Sequence, residues 1–436
     1  MTILASSRCR RPAQLNRLRA FTLVELMVAL TGGLFISVIV FAMARQGTRF
    51  YQQETRIAEA TLATTIGMQR LRADIGRAGY MASPNINADP NLCTQLVALQ
   101  GFPLLQNLRS IQISQETDGM ILANYDLLHG AAAQIIPDRI QLAGAYQNAD
   151  RFIAGYLPPN PGTSGGNIAI PLQPNIGALV RYRYSSLDSA GQSALLNSLF
   201  PQGRALRLVN QYGRVAYGVI VNAAVSGGLP VINLQGAPPI PLRGQATSIC
   251  EFAGVGVEVN VVNFFWYRIA DLKHDTQYSN LFGQLYASEA NPWDANRTEL
   301  IREELDPATG LPFTGTGGQG RAAPEIVAEY AVDLKFEVTY TSPVGPNPTQ
   351  LLSTTPATGD TPYTIAGLGT GDPRRIRSVR ARLSVRSREA DRAQTIPGVG
   401  LYRLGITPTN GVKTFARVRT LQSDIAIPNH FSATQQ

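Results

Sequence analysis

The chain has 436 residues, 44% of them apolar and 16% charged, which is enough for an anchor plus one large or two ordinary domains and too apolar for a disordered polymer. The net charge of +8 is misleading, because Met1–Ala20 holds five arginines and no acid and the remainder carries +3. The high isoelectric point is therefore no argument for nucleic-acid binding.

The first element is an apolar span, Phe21–Met43, preceded by Arg8, Arg10, Arg11, Arg17 and Arg19 and followed by Arg45 and Arg49. About 20 apolar residues suffice to cross a bilayer. The larger positive cluster precedes the span, so the amino end is expected in the cytoplasm and everything after Met43 across the inner membrane. One acid, Glu25, interrupts the span. An intramembrane carboxylate is costly and calls for a partner. A secretory signal would place its small cleavage residue after the apolar run, whereas Ala20 stands before it. Cleavage at Ala20–Phe21 would keep the span and create an amine at Phe21, which could pair with Glu25 of a neighbouring helix.

The stretch Phe21-Thr22-Leu23-Val24-Glu25-Leu26 resembles the class III signal of type IV prepilins and pseudopilins. The resemblance implies a leader, residues 1–20, removed by a membrane aspartyl peptidase, N-methylation of Phe21, and a role for Glu25 in subunit addition. The family usually carries Gly at the last leader position, where this chain has Ala20.

From Phe21 to Pro84 there is no proline, and the pattern is helical. Gly32-Gly33 is its weak place, either a point of local melting in a fibre or one of close helix packing. Residues 44–80 form the amphipathic half of the same helix. Ile57, Thr61, Thr64, Met68, Leu71, Ile75 and Ala78 make an apolar stripe, and Glu54, Arg56, Glu59, Arg70, Arg72, Asp74 and Arg77 are expected on the solvated face. The helix is expected to end near Gly79.

Residues 81–436 are expected as a β-rich globular domain on the far side of the membrane, with residues 85–250 a candidate elaborated subdomain. Strands are predicted at Asp118–Leu127, Ala178–Tyr184, Ala205–Asn210 and Val215–Asn222. Gly256–Ile269 is the most apolar run and reads as a central strand or hairpin, and Thr298–Leu305 as a short strand or helix. Val332–Tyr340 and Ile376–Arg388 alternate apolar and polar residues, as half-buried strands do. Thr414–Asp424 is a further strand. Pro158–Gly177, Asp306–Pro324 and Pro343–Pro373 read as loops.

Three later strings, Leu71–Tyr80, Glu325–Tyr340 and Ile376–Asp391, resemble PilW-type minor pilins, as does Phe415–Asn429. The resemblance implies an α+β, type IV pilin-like fold: a long N-terminal helix on a mainly antiparallel sheet, here with an enlarged β-rich middle. It implies other minor pilins, the major pilin, the prepilin peptidase, the inner-membrane assembly platform and a tip adhesin as partners. The implied role is priming or capping a type IV pilus, first in the membrane and then at the cell surface. A type II secretion pseudopilin and a bitopic adhesin that never polymerises are the alternatives.

Cys9 lies in the leader, leaving Cys93 and Cys250 on the exported side, where disulfides persist. Their pairing is expected over two buried thiols. It would close a loop of about 158 residues, worth roughly 4–5 kcal/mol in the chain-entropy model. His129, His274 and His430 show no metal spacing, and no nucleophile elbow, zinc-protease or phosphate-loop motif occurs. Neither an enzyme nor a cofactor is expected. Residues 374–392 carry eight arginines, of which Arg380, Arg382, Arg386 and Arg388 are predicted to point outward. That face is either solvated or meets an acidic protein, with DNA disfavoured for want of interleaved aromatics.

Overall fold

A computed structural model describes residues 22–94, 99–116, 137–158, 168–237, 240–241, 249–272, 278, 297–314, 322–341, 350–352, 364–365, 369–370, 372–389, 401–403 and 415–430. The fold is α+β, with one long N-terminal apolar helix and antiparallel sheets. The chain forms two units, Met1–Thr55 and Arg56–Gln436. Helix α1, Leu23–Gly76, contributes to both. Ala20, Phe21, the strand expected at Asp118–Leu127, His129 and His274 lie outside the described residues.

In the first unit α1 buries nothing. Its few hydroxyls turn back on the helix: Thr31 Oγ1 donates to the Met27 carbonyl at 3.0 Å, Ser37 Oγ to Gly33 at 2.8 Å and Thr48 Oγ1 to Ala44 at 2.8 Å. Polar groups satisfied this way sit in an apolar surface without an orphaned donor.

In the second unit α1 buries Ala60, Thr64, Gly67, Met68, Leu71, Asp74 and Ile75. The predicted stripe is displaced at its start, where Ala60 is buried and Thr61 is exposed. Asp74, expected in solvent, is buried. Gly67 sets the distance to the sheet, since a Cβ there would stand 2.9 Å from Leu383 Cδ2 and 3.1 Å from Ala328 Cβ. After Gly76 the chain turns, and Gly79, at φ +73°, donates its N–H to the Ala143 carbonyl at 2.9 Å. A Cβ at Gly79 would press on Ser110 and His430 at 3.2 Å, so this turn combines positive φ with close packing.

Among the described residues ten strands build the first sheet: β1 Ile111–Gln115, β2 Asp138–Gly144, β3 Phe152–Ile153, β4 Ile168–Pro171, β5 Ala205–Val209, β6 Val215–Ser226, β7 Leu229–Leu234, β8 Glu258–Ala270, β9 Glu299–Leu305 and β10 Glu325–Glu329. Strand β8 is its hub and pairs with β2, β3, β5 and β9. Its continuous apolar sequence has a physical reason. Phe265, Tyr267 and Ile269 enter the core under α1, while Val262, Phe264 and Trp266 enter a second core on the opposite face. A strand covered on both sides reads as an unbroken apolar run.

The second sheet has five strands among the described residues, β11 Ala331–Thr341, β12 Gln350–Leu352, β15 Ile376–Arg386, β16 Leu401–Arg403 and β17 Phe415–Ala426, in the order β12-β11-β15-β17-β16. Two short strands, β13 Thr364–Ile365 and β14 Gly369–Thr370, pair separately. Asp138 joins the sheets. It is 1% exposed, accepts from Lys335 Nζ at 2.9 Å and from the Phe336 N–H at 3.0 Å. Burial raises its pKa, while Lys335 and the Phe336 N–H oppose that shift.

Three strand and loop readings need correction. Ala178–Tyr184 is not a strand but a helical turn, Ala178–Arg181, followed by a 3-10 turn, Tyr184–Ser186. Adjacent Ala178 and Leu179 are both buried while Val180 is exposed, which a strand's alternation forbids. Pro158–Gly177 is not wholly loop, since it contains β4, paired with β7. Pro343–Pro373 likewise contains β12, β13 and β14. Cys93 and Cys250 are joined by a disulfide, with their Cα atoms 5.5 Å apart.

Candidate functional site

The N-terminal part of α1 is the first candidate surface. Leu23, Val24, Leu26, Met27, Val28 and Leu30 are exposed, as are the large apolar residues beyond them to Tyr51. Among the described residues α1 is the one helix long and apolar enough to cross a membrane. Such a helix fits a single-pass membrane anchor.

Glu25 sits in the first turn of this surface. Its Oε2 accepts from the Thr22 N–H and the Thr22 hydroxyl, each at 3.0 Å. The Glu25 N–H donates back to Thr22 Oγ1 at 3.3 Å. This is a capping box, Thr22-x-x-Glu25, and it gives the carboxylate local donors at the positive end of the helix dipole. The sequence reading missed it, although the three-residue spacing carried the signal. Gly32 and Gly33 are both helical, and a Cβ on either would meet nothing within 4 Å.

A second surface lies in the Arg56–Gln436 unit. Leu62 and Ile66 of α1 are 61% and 52% exposed and, with Ile326 and Ala328 of β10, line an open apolar groove of about 400 Å³. Glu59 and Glu329 stand among its lining residues. The sequence reading did not single out this groove, because its helical half falls outside the predicted stripe and its other half belongs to a strand.

A polar cluster lies along that unit's helix, buried at Asp74 and Tyr267 and reaching the surface at Arg70 and Glu325. Asp74 Oδ2 accepts from Tyr267 Oη at 2.6 Å and from Arg302 Nε at 2.7 Å. Arg302 continues to Glu325 at 3.0 Å, and Arg70 reaches the same carboxylate at 3.1 Å. Tyr146 Oη donates to the Asp74 carbonyl at 3.0 Å. Burial drives the pKa of Tyr267 far upward, with the Asp74 charge acting in the same direction, so the phenol stays a donor. The cluster ties α1 to β8, β9 and β10 and holds no accessible nucleophile.

Two arginines of β15, Arg380 and Arg382, are paired with carboxylates. In the sheet register Arg380 stands opposite Glu337 on β11 and Asp424 on β17. Arg380 Nε donates to Asp424 at 2.7 Å and Nη1 to Glu337 at 3.4 Å. Arg382 Nη2 reaches Asp333 at 3.1 Å. Arg386, predicted outward, is 1% exposed, with its guanidinium 4.8 Å from the Tyr330 ring centroid. The alternation breaks there because β11 has a bulge between Ala331 and Asp333, and Ser384 to Ser387 are all buried. Arg388 remains exposed and lies next to Glu389, which pairs with Arg56 of α1.

His430 is buried against Ser110, with Nε2 and Oγ 2.6 Å apart. Its Nδ1 faces the Ile376 carbonyl at 3.2 Å, which fixes the proton on Nδ1 and leaves Nε2 to accept from Ser110. Burial lowers the pKa of His430 to about 4. Both side chains are 0% exposed, so this serine–histidine contact is packed shut to substrate. Among the described residues no group of His, Cys, Asp and Glu could hold a metal ion. No protein-family model, curated protein or solved structure matches the chain.

Proposed function

We propose that the chain is a minor pilin of the PilW type, anchored in the inner membrane and then drawn into a type IV pilus, where it primes assembly. The observation that carries this reading is the exposed apolar half of α1 with Glu25 in its first turn. Such a surface must be covered by lipid or by other helices. A helix that exchanges one cover for the other is what assembly from a membrane requires.

In this reading the peptidase cuts at Ala20–Phe21, and the new Phe21 amine is methylated. Glu25 exchanges its Thr22 donors for the amine of an adjacent subunit as the helices bundle. The groove at Leu62, Ile66 and Ile326 supplies a second apolar contact for a neighbouring pilin. The capping box supports the reading in a specific way. It gives Glu25 a satisfied resting state, so the carboxylate is tolerable before a neighbour arrives.

The test is Glu25→Ala in cells. The variant should accumulate in the inner membrane and be missing from sheared pili, with piliation impaired. Mass spectrometry of mature wild-type protein should find a methylated Phe21 at the N-terminus. Normal piliation with the variant present in pili, or a chain starting before Phe21, refutes the proposal.

A further inference from the structure

A cavity of about 610 Å³ opens in the Arg56–Gln436 unit, where the turn region after α1 meets the β5–β6 hairpin and the start of β15. It takes no part in the helix surfaces described above. Four arginines and two aspartates line it, an excess of two positive charges among the described lining residues. Two of the arginines are engaged. Arg374 holds Asp372 through Nε and Nη2 at 2.9 and 2.7 Å. Arg377 donates to Thr341 Oγ1 at 3.0 Å and to the carbonyls of Arg374 and His430 at 3.3 and 3.1 Å.

The other two, Arg207 and Arg375, are not held by a side-chain hydrogen bond or ion pair among the described residues. Arg207 Nε is buried and has no hydrogen-bond partner. A buried donor nitrogen without an acceptor is costly, and an anion beside it removes that cost. The field at the site is positive. Burial and then the Arg375 charge lower the pKa of Arg377.

The remaining lining narrows the ligand. Asp89 accepts from the Ser83 hydroxyl and from the Asn91 N–H at 2.9 Å, and Asn85, which donates to Asp372 at 3.1 Å and accepts from the Asn87 N–H at 3.2 Å, lines the cavity with it. These groups suit hydroxyls, which both donate and accept. Asp89 and Asp372 repel any anion, and a phosphate dianion more strongly than a carboxylate monoanion, whose single charge Arg207 and Arg375 are left to receive. Among the described residues no aromatic side chain lines the cavity, so stacking of the kind single-stranded nucleic acid uses has no support there. Pro84, Pro90 and Val215 give an apolar floor. The volume falls within the range of about 300–1,000 Å³ that small-molecule sites occupy.

We infer that this cavity binds a carboxylated sugar of one or two rings, with the carboxylate on Arg207 and Arg375 and hydroxyls on Asn85 and Asp89. The inference is independent of pilus assembly and would hold for a chain that never polymerises.

The experiment is calorimetric titration of the full chain in detergent micelles at low salt with glucuronate and with N-acetylneuraminate, against glucose and inorganic phosphate. At least one acidic sugar should bind with a Kd below ~10 mM and at least ~10-fold tighter than glucose or phosphate, and loss of one charge-assisted contact should weaken it about 10-fold or more. Arg207→Gln and Arg375→Gln are the separate variants for that loss, and Arg419→Gln, on β17 away from the cavity lining, should bind as wild type. Neither engaged arginine is removed, so the fold should persist, and circular dichroism checks it. Failure of both acidic sugars to bind, tighter binding of phosphate or equal binding of glucose, or unchanged affinity in both folded cavity variants overturns the inference.

Discussion

His430 shows how a single buried side chain makes this fold sensitive to pH. Folded, it is neutral, with its pKa lowered from 6.5 to about 4 by burial. The unfolded chain protonates it near 6.5. Its contribution is therefore complete above pH 6.5 and lost as pH falls toward 4. Between pH 7 and 5 that loss is about 2 kcal/mol. Glu299 acts in the opposite sense. Burial raises its pKa to about 7 against the pull of Arg297, so its contribution declines as pH rises from 4.5 toward 7. A comparison of wild type with His430→Gln cancels Glu299. Urea unfolding in detergent micelles should show the stability difference between the two chains changing by about 2 kcal/mol between pH 7 and 5, with wild type the one that weakens. A constant difference would mean that His430 titrates normally.

Helix α1 was legible as an element before its surroundings were. The absence of proline and the apolar span mark it, and the spacing of Thr64, Met68, Leu71, Ile75 and Ala78 marks the buried side, where all five are buried. Asp74 was misread by chemistry rather than by phase. It lies three residues after Leu71 and four before Ala78, squarely in the stripe, and a carboxylate is at home there only because Tyr267 and Arg302 arrive from distant strands. Arg386 failed by phase instead, since a bulge on the neighbouring strand is invisible in its own sequence. Gly67 gives the element its test. Leucine there improves helix propensity by up to ~1 kcal/mol but must displace Leu383 and Ala328, at a typical overpacking cost of about 1–3 kcal/mol. Gly67→Leu should be destabilised in thermal unfolding. Gly47→Ala, where a Cβ meets nothing within 4 Å, should be neutral or slightly stabilised. Equal behaviour of the two variants would contradict the close approach of α1 to β15.

At the scale of the molecule, the two units differ in what their surfaces require. Large apolar side chains of α1 are exposed along Leu23–Tyr51, whereas the Arg56–Gln436 unit encloses its own cores. The Cys93–Cys250 disulfide, Asp138 between the sheets, the Asp74 cluster and the Arg56–Glu389 pair all lie within that second unit. Even the helix face that closes the core begins at Ala60, after the boundary. None of these described interactions involves a residue before Arg56. A chain lacking residues 1–51, secreted to an oxidising compartment so that the disulfide forms, should fold without detergent. It should keep the β-rich circular dichroism of the full chain and run as a soluble monomer on size exclusion, while the full chain requires detergent. The exposed groove at Leu62, Ile66 and Ile326 is the place where that monomer should self-associate at high concentration, and Ile66→Lys should abolish the association. If the truncated chain is insoluble or unfolded, the apolar half of α1 is part of the fold rather than an appendage with its own solvent.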